Sequence, residues 1–170
     1  MILFDLEGVL ANFEHRRHFV DRHTSFGDFD SELQPDWKSF YEDCLDDPPI
    51  DEVGRALYDF MASDACHDIE IWSGRCESVR EKTEAWLSYH FPAFFHGSID
   101  GKSYLKSIKM RPIGDATPLY RLKEQWYDMH NVEHPNKNIE FVFESDPECV
   151  KMWRRRGVFV FDVNQGGLGL

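Results

Sequence analysis

Two acidic residues near the start of the sequence, Asp5 and Glu7, stand two positions apart after an apolar run. A carboxylate can attack phosphorus and form an acyl phosphate, which divides one difficult displacement into two easier steps. A second carboxyl group close by can protonate the leaving oxygen and later take a proton from water. The pair therefore predicts covalent phosphoryl chemistry, although an aspartate at a strand end is also a common turn former.

Polar residues with matching chemistry follow two later apolar runs. Ser73-Gly74-Arg75 comes after Ile69–Trp72, and Glu144-Ser145-Asp146 comes after Ile139–Phe143, with Lys123 between the two groups. A hydroxyl and an ammonium can stabilise charge on transferring phosphoryl oxygens. Carboxylates can hold Mg²⁺, which offsets the repulsion between an anionic nucleophile and an anionic substrate.

Each of these residues also has a structural interpretation when it is taken alone. Ser73 is of a type that often caps a helix. Glu144 and Asp146 could cap a helix that begins near Pro147, and Lys123 could be a solvated helix residue. Their joint arrangement favours a site.

The elements that must position these residues alternate between strands and helices. Apolar runs predict strands over Ile2–Leu6, Ile69–Trp72, Ile139–Phe143 and Val158–Val163. Helical spacing and proline positions predict helices near Trp37–Leu45 and over about Ile50–Ser63, Glu77–His90, Pro118–His130 and Pro147–Arg156. Residues 94–109 fit either a hairpin turning at Asp100-Gly101 or a loop and a strand. The alternation predicts an α/β fold, a Rossmann-like parallel sheet with helices on both faces, and ligands at the carboxyl ends of its strands.

The length of 170 residues and the absence of a linker predict one domain over 1–170. Residues from about 12 to 49 are aromatic, charged and poorly periodic, which predicts an inserted lid. Its aromatic rings could stack a nucleobase, although packing is the default for most of them. The glycine-rich stretch 166–169 is expected to be flexible.

The charge distribution limits the partners of the chain. Its 31 acidic against 19 basic residues give a net charge of −12, which argues against broad coating of nucleic acid but not against a local basic pocket. No apolar run is long enough to span a membrane, and no signal peptide is visible. A cytoplasmic location is expected, in the host cytoplasm if a phage encodes the protein.

The order of these motifs resembles the haloacid dehalogenase (HAD) superfamily of phosphatases. The closer resemblance is to the 3′-phosphatase domain of phage-type polynucleotide kinases, and it runs over nearly the whole chain. The stretches that carry it are 4–11, 47–50, 72–75, 110–115, 122–124, 143–146 and 150–154. Met110-Arg111-Pro112-Ile113-Gly114-Asp115 and Lys151-Met152-Trp153-Arg154 are its most specific parts.

The resemblance implies a role for each motif residue. Asp5 would be the nucleophile and a Mg²⁺ ligand, and Glu7 would be the acid/base and bind the metal through its backbone carbonyl. Glu144 would complete the metal site, with Asp146 as a further candidate ligand. The substrate phosphate would be held by Ser73, Gly74 and Lys123, with Arg75 and Arg111 close to the pocket. Arg111 could equally form a structural ion pair with Asp115.

Two departures from the family pattern affect these roles. The family usually has aspartate where this chain has Glu7, and a pair of aspartates where it has Glu144-Ser145-Asp146. The second carboxylate of the last motif is therefore lost or displaced by one residue. No GxxxxGK[ST] phosphate loop is present, so the predicted phosphatase carries no kinase half in this sequence.

Three functions remain open at this stage. The preferred one is a magnesium-dependent phosphomonoesterase that works through an aspartyl phosphate and removes 3′-phosphate from nucleic-acid ends. A 5′-nucleotidase or another small-molecule phosphatase suits the acidic composition better. A catalytically weakened binding protein would explain the altered last motif.

Overall fold

Strands and helices alternate along the computed structural model, which describes residues 1–20, 35–62, 68–99 and 102–163. The strands are β1 (Ile2–Phe4), β2 (Ile69–Cys76), β3 (Ser98–Ile99), β4 (Lys102–Ser103), β5 (Leu105–Arg111), β6 (Phe141–Glu144) and β7 (Phe159–Asp162). Within these ranges five strands form one parallel sheet in the order β5-β2-β1-β6-β7. β3 and β4 form a small antiparallel pair.

The described ranges contain six α-helices, two of which begin with proline. They are α1 (Trp37–Glu42), α2 (Asp51–Ala62), α3 (Arg80–His90), α4 (Pro92–His96), α5 (Leu119–Glu133) and α6 (Pro147–Arg155). Proline stands at the start of α4 and of α6, where its missing N–H has no partner to lose. Short 3-10 turns cover Glu14–Phe19, Cys44–Asp46 and Glu77–Val79. In the described ranges no helix combines the length and the apolarity that crossing a membrane requires.

The two faces of the sheet have separate hydrophobic cores, because successive side chains of a strand point to opposite faces. Ile2 and Phe4 of β1 pack on one face, and Leu3 packs on the other. The first face is covered by residues of α2, α3 and α4: Val53, Leu57, Met61, Trp86, Leu87 and Phe94. The second face is covered by residues of α5 and α6: Leu122, Trp126, Cys149, Met152 and Trp153. The predicted parallel sheet with helices on both faces is confirmed.

The strand order places a switch point at β1. From β1 the chain moves outward to β2 and then β5, and it returns to the other side of β1 as β6 and then β7. Phe4 of β1 is opposite Ile71 of β2 and Phe143 of β6, so β1 and β6 end at nearly the same level, and β2 continues past them to Cys76. In open parallel sheets ligands bind at such a point, outside the carboxyl ends of the strands.

Several element boundaries differ from the sequence predictions. β1 ends at Phe4, because Asp5 and Leu6 already belong to a turn. β2 continues through Ser73, Gly74 and Arg75 to Cys76, although these residues were expected to close the strand; a register shift against β5 after Trp72 accommodates them. The described part of residues 94–109 contains the end of α4, the antiparallel pair β3 and β4, and most of β5, so it has features of both alternatives that the sequence left open.

The remaining predictions are described in part. Of the predicted lid over 12–49, the structure describes two 3-10 turns and α1, whereas 21–34 lie outside the described residues. Its identity as an insertion, like the single domain over 1–170, stays a prediction. The turn at Asp100-Gly101 and the stretch 166–169 also lie outside the described residues.

Candidate active site

Asp5 lies in a tight turn directly after β1. Its backbone N–H donates to the Phe143 carbonyl oxygen at 3.1 Å, and its Oδ1 accepts a hydrogen bond from the Leu6 N–H at 2.8 Å. Gly8 completes the turn with φ of 73°, a conformation that favours glycine. A Cβ atom at Gly8 would lie 2.5 Å from Ser145 Oγ, so the turn packs directly on the loop after β6.

A first group of buried charges, here called the lysine cluster, consists of Asp5, Lys123 and Glu144. Lys123 Nζ lies 2.9 Å from Asp5 Oδ2 and 2.7 Å from Glu144 Oε2. Each of the three residues is at most 3% exposed. They come from the turn after β1, from α5 and from the end of β6, so the fold brings together residues that are far apart in sequence.

The lysine cluster has two acidic groups and one basic group, so it carries a negative charge when all three are ionised. Burial raises the pKa of Asp5 well above its ordinary value, and the ammonium of Lys123 offsets this effect only in part. Burial acts against the charged form of Lys123 too, but Asp5 and Glu144 outweigh it and raise the pKa of Lys123. The site therefore holds a permanent cation beside a carboxylate whose charge is incompletely balanced.

A second group of buried charges, here called the arginine cluster, consists of Glu7, Arg16, Asp47 and Arg75. Arg16 donates to Asp47 Oδ1 at 2.7 Å and Asp47 Oδ2 at 2.6 Å, a bidentate pair. Arg75 donates to Asp47 at 3.0 Å and to Glu7 Oε1 at 2.7 Å. Arg16 also reaches Glu7 Oε1 at 3.0 Å. Two acidic and two basic groups balance each other in this cluster.

Glu7 belongs to the arginine cluster and also acts electrostatically on the lysine cluster, because its charge raises the pKa of Asp5. The Oε2 atom of Glu7 accepts a hydrogen bond from Ser73 Oγ at 2.9 Å. Burial alone would raise the pKa of Glu7, but the guanidinium groups of Arg75 and Arg16 lower it to about 2. The Glu7 carboxylate is therefore ionised near neutral pH and held in place by three side chains.

Backbone N–H groups in and after the loop that follows β6 donate hydrogen bonds to the carboxylates of Glu144 and Asp146. Glu144 Oε1 accepts hydrogen bonds from the backbone N–H groups of Ser145 at 3.0 Å and Asp146 at 3.1 Å. Asp146 Oδ1 accepts from the Cys149 N–H at 2.8 Å and caps α6. Ser145 Oγ donates to the Glu7 backbone carbonyl at 2.8 Å, so a hydroxyl occupies the place beside that carbonyl.

Gly74 and Arg111 lie at the edge of this arrangement. The Gly74 carbonyl accepts hydrogen bonds from Tyr41 Oη at 3.1 Å and from Arg111 Nε at 3.2 Å. Arg111 Nη1 donates to the Thr117 carbonyl at 2.6 Å and lies 3.6 Å from Asp115 Oδ1. Most of the Arg111 contacts thus organise the loop before α5, which fits the structural interpretation of this arginine; its contact with a substrate stays a prediction.

The residues after β1 and β6 suit Mg²⁺ by chemistry. In the described parts of the chain no three His, Cys, Asp or Glu side chains converge in the way that would hold a metal ion. Mg²⁺ is commonly held by one or two carboxylates together with waters and substrate phosphate, and all its preferred ligands are oxygens. Asp5, the Glu7 carbonyl and the Ser145 hydroxyl supply only oxygen atoms here, and Asp5 lacks a full countercharge. The donor set therefore fits this ion.

The structure places the predicted site residues in different groups, and their roles stay predictions. Asp5, Lys123 and Glu144 form one buried cluster, Ser73 binds Glu7, and Gly74 lies at the edge of the site. Arg75 instead binds both Asp47 and the Glu7 side chain, and Asp146 serves as a helix cap. Arg16 was missed as a site residue, because it lies in an aperiodic segment where its sequence neighbours give no signal.

Comparison with known proteins gives the family of this chain. The family described as "Polynucleotide kinase PNKP phosphatase domain" matches residues 1–168, so the chain belongs to this family of HAD-type phosphatases. The comparison with curated proteins gives no match.

Two solved structures share the fold. One is described as the structure of the Pnkp1/Rnl/Hen1 RNA repair complex, with a TM-score of 0.60, 19% identity, and coverage of 95% of this chain and 41% of the other. A second Pnkp1/Rnl/Hen1 complex gives a TM-score of 0.62 and 19% identity, with coverage of 95% and 45%. The chain thus spans less than half the length of these relatives.

Proposed function

We propose that the protein removes 3′-phosphate from nucleic-acid ends in a magnesium-dependent reaction with an aspartyl-phosphate intermediate. The observation that carries this proposal is the position of Asp5, at the carboxyl end of the central strand and 2.9 Å from the buried ammonium of Lys123. A carboxylate in this place can act as a nucleophile. The adjacent cation can stabilise the charge that develops on phosphoryl oxygens.

In the first proposed step, a carboxylate oxygen of Asp5 attacks the phosphorus atom. The bond between phosphorus and the 3′ oxygen breaks, the electron pair leaves with that oxygen, and a proton from Glu7 or from water neutralises it. The ionised Glu7 is held by Arg75 and Arg16 in the described arrangement. To serve as the acid it must therefore gain a proton and exchange these contacts for the leaving group.

In the second proposed step, water attacks the phosphorus atom of the aspartyl phosphate. The bond between phosphorus and the Asp5 oxygen breaks, inorganic phosphate leaves and the Asp5 carboxylate is restored. The proton lost by water goes to Glu7, which is already ionised. Arg75 and Arg16 lower the pKa of Glu7, so it must loosen these contacts to act as the base. Glu7 does not have to lose a proton before water attacks, because its carboxyl group is already ionised.

Several side chains would hold the phosphoryl oxygens during both steps. Lys123 supplies an ammonium, and Ser73 supplies a hydroxyl that donates to Glu7 in the described arrangement. The Ser73 hydroxyl would turn from Glu7 to the phosphate when substrate binds, with the Gly74 backbone beside it. Arg75 lies within the arginine cluster, which favours a role in orienting Glu7, and Arg111 lies at the rim.

Mg²⁺ would be held by the Asp5 carboxylate and the Glu7 backbone carbonyl. Glu144 and Asp146 are further proposed ligands. Their carboxylate oxygens have lone pairs that are not used by the hydrogen bonds described above, and Asp146 could also bind the ion through a water molecule. A bound divalent cation neutralises charge on phosphate oxygens and on the attacking carboxylate. That chemistry matches the incompletely balanced charge of the lysine cluster.

A panel of substrates tests the proposal. Phosphate release is measured with Mg²⁺ and with EDTA from 3′-phosphorylated DNA and RNA oligonucleotides, from matched 5′-phosphorylated oligonucleotides, and from 5′-mononucleotides. We expect Mg²⁺-dependent release from the 3′ ends. RNA is included because the similar solved structures are RNA repair complexes.

A 5′-nucleotidase is the second candidate, since a net charge of −12 disfavours a polymeric anion. Release from 5′-mononucleotides alone would replace the preferred substrate with this one. Undiminished release in EDTA would refute the metal requirement.

A further inference from the structure

An exposed aromatic surface begins at the first residue of α1. Trp37 is 51% exposed, although its class of side chain is usually mostly buried. The ring of Tyr41, one helical turn further, is stacked with it at a centroid distance of 5.9 Å and an angle of 27°. Phe40 packs edge-on against Trp37 at 5.6 Å and is itself buried. Trp37 thus has an aromatic support on its inner side and solvent on its outer side.

The aromatic surface is joined directly to the candidate phosphate site. Tyr41 Oη donates to the Gly74 carbonyl at 3.1 Å, and Gly74 follows Ser73 in β2. Arg111 Nε donates to the same carbonyl at 3.2 Å. The rings of Tyr41 and Trp37 therefore extend outward from the residue next to the phosphate-holding hydroxyl.

Helix α1 presents these rings from a fixed position. Asp36 caps it by accepting from the Ser39 N–H at 3.0 Å. At its other end Arg16 Nη1 donates to the Phe40 carbonyl at 2.9 Å, and Lys82 Nζ donates to the Glu42 carbonyl at 2.7 Å. The Arg16 guanidinium also lies 4.2 Å from the centre of the Phe40 ring. A ring fixed in this way loses little freedom when a ligand stacks on it.

We propose that Trp37 stacks the nucleobase of the terminal nucleotide whose 3′-phosphate is removed. The inference rests on the proposed function and specifies how the protein distinguishes a nucleic-acid end from a small phosphate ester. Stacking on an aromatic ring is available to every base, since each base has a π-face. It also needs no positive charge, which suits a chain with 31 acidic and 19 basic residues.

The experiment compares two substrates and three variants. The substrates are oligonucleotides with a 3′-phosphate on either a normal or an abasic terminal nucleotide. Trp37→Ala is expected to lower kcat/KM on the normal substrate by about 10- to 100-fold, mainly through KM, and to leave the abasic substrate unchanged. Trp37→Phe is expected to restore most of the loss. Tyr89→Ala serves as control, because Tyr89 is an 80% exposed ring on α3.

The outcomes separate this inference from the proposed function. Equal losses on the normal and the abasic substrate, or no loss on either, would overturn stacking while the phosphatase activity stands. If the unaltered protein released no phosphate from any nucleic-acid end, the proposed function itself would be wrong, and stacking with it. Urea unfolding of each variant checks that the variant is folded, because a loss of fold would lower kcat/KM on both substrates together.

Discussion

Two groups of buried charges lie side by side in this protein and differ in one respect, their balance. The arginine cluster pairs Glu7 and Asp47 with two guanidinium groups, and nearly every oxygen and donor in it has a close partner. The lysine cluster sets Asp5 and Glu144 against a single ammonium. Every member of the two clusters is buried except Glu7, whose side chain is 16% exposed, so burial alone does not distinguish the clusters.

The difference separates a structural task from a chemical one. A balanced cluster gains nothing from a further ion, and it fixes the segment that carries Arg16 against the strand that carries Arg75. An unbalanced cluster has a raised pKa at Asp5 and can accept a cation or a substrate that restores the balance. Removing a charge should therefore damage stability in one cluster and activity in the other.

The largest effect is expected for Asp5→Asn. The variant should lose phosphatase activity by about 10³-fold or more, because an amide cannot form the acyl phosphate. Its free energy of unfolding should stay within about 1 kcal/mol of the unaltered protein or rise, since an incompletely balanced buried charge is removed. Phosphate release and urea unfolding are measured on the same samples.

Asp46→Asn is the matched control for this variant, because Asp46 is exposed and takes no part in either cluster. Asp46→Asn should leave the rate of phosphate release and the free energy of unfolding unchanged. A strongly active Asp5→Asn protein would remove the nucleophile from the proposal.

The next largest effect is expected for Asp47→Ala in the arginine cluster. It leaves Arg16 and Arg75 buried with one carboxylate between them, which should lower the free energy of unfolding by about 3–5 kcal/mol. Urea unfolding measures the change, with Asp46→Ala as control. A loss below about 1 kcal/mol would mean that the arginine cluster is not the structural one.

Ser145→Asp adds a negative charge next to the lysine cluster, whereas Asp5→Asn removes one from it. A carboxylate beside the Glu7 carbonyl adds a metal ligand where Ser145 Oγ donates in the described arrangement, so Mg²⁺ should bind about tenfold more tightly. Without Mg²⁺ the variant should unfold at a lower temperature, because the added charge crowds Glu7 and Gly8. Thermal unfolding with and without Mg²⁺ measures both effects, and Ser145→Asn controls for size. A variant with no greater Mg²⁺ stabilisation than the unaltered protein would place the metal elsewhere.

The smallest effect is expected for a charge pair outside both clusters. Arg80 makes a bidentate contact with Glu77 at 2.5 and 2.7 Å, and both side chains are about one third exposed. Glu77→Gln should lower the free energy of unfolding by only about 0.5–1 kcal/mol, because solvent screens the pair. A loss as large as that of Asp47→Ala would show that burial is not what makes the arginine cluster important.

The ends of strands could be predicted from sequence, and with them most of the lysine cluster. Apolar runs gave β1, β2 and β6, and parallel strands in this kind of fold must bring Asp5, Ser73 and Glu144 to one edge. Lys123 required the family resemblance, because one lysine on a helix carries no signal of its own. The boundaries of β1 and β2 were less predictable, since turn hydrogen bonds and a register shift decide them.

The arginine cluster could not be predicted in the same way. Arg16 pairs with Asp47 across 31 residues, through a segment without periodicity that no propensity places. The orientation of the Glu7 side chain was also not accessible, because a residue two positions after the nucleophile can face either cluster. Only the packing of Arg16 and Arg75 against Asp47 decides it.

The central position of β1 also affects how the protein is made. The Glu7 carbonyl is contacted by a hydroxyl 138 residues further along the chain, and β1 cannot take its place in the sheet until β6 has been synthesised. Contacts of such long sequence separation slow folding, because the entropy of closing a large loop is lost before they form. On the ribosome, the nascent chain should therefore acquire phosphatase activity only after the last third of it has emerged. Until then, the apolar residues of β1 are exposed to chaperones and to aggregation.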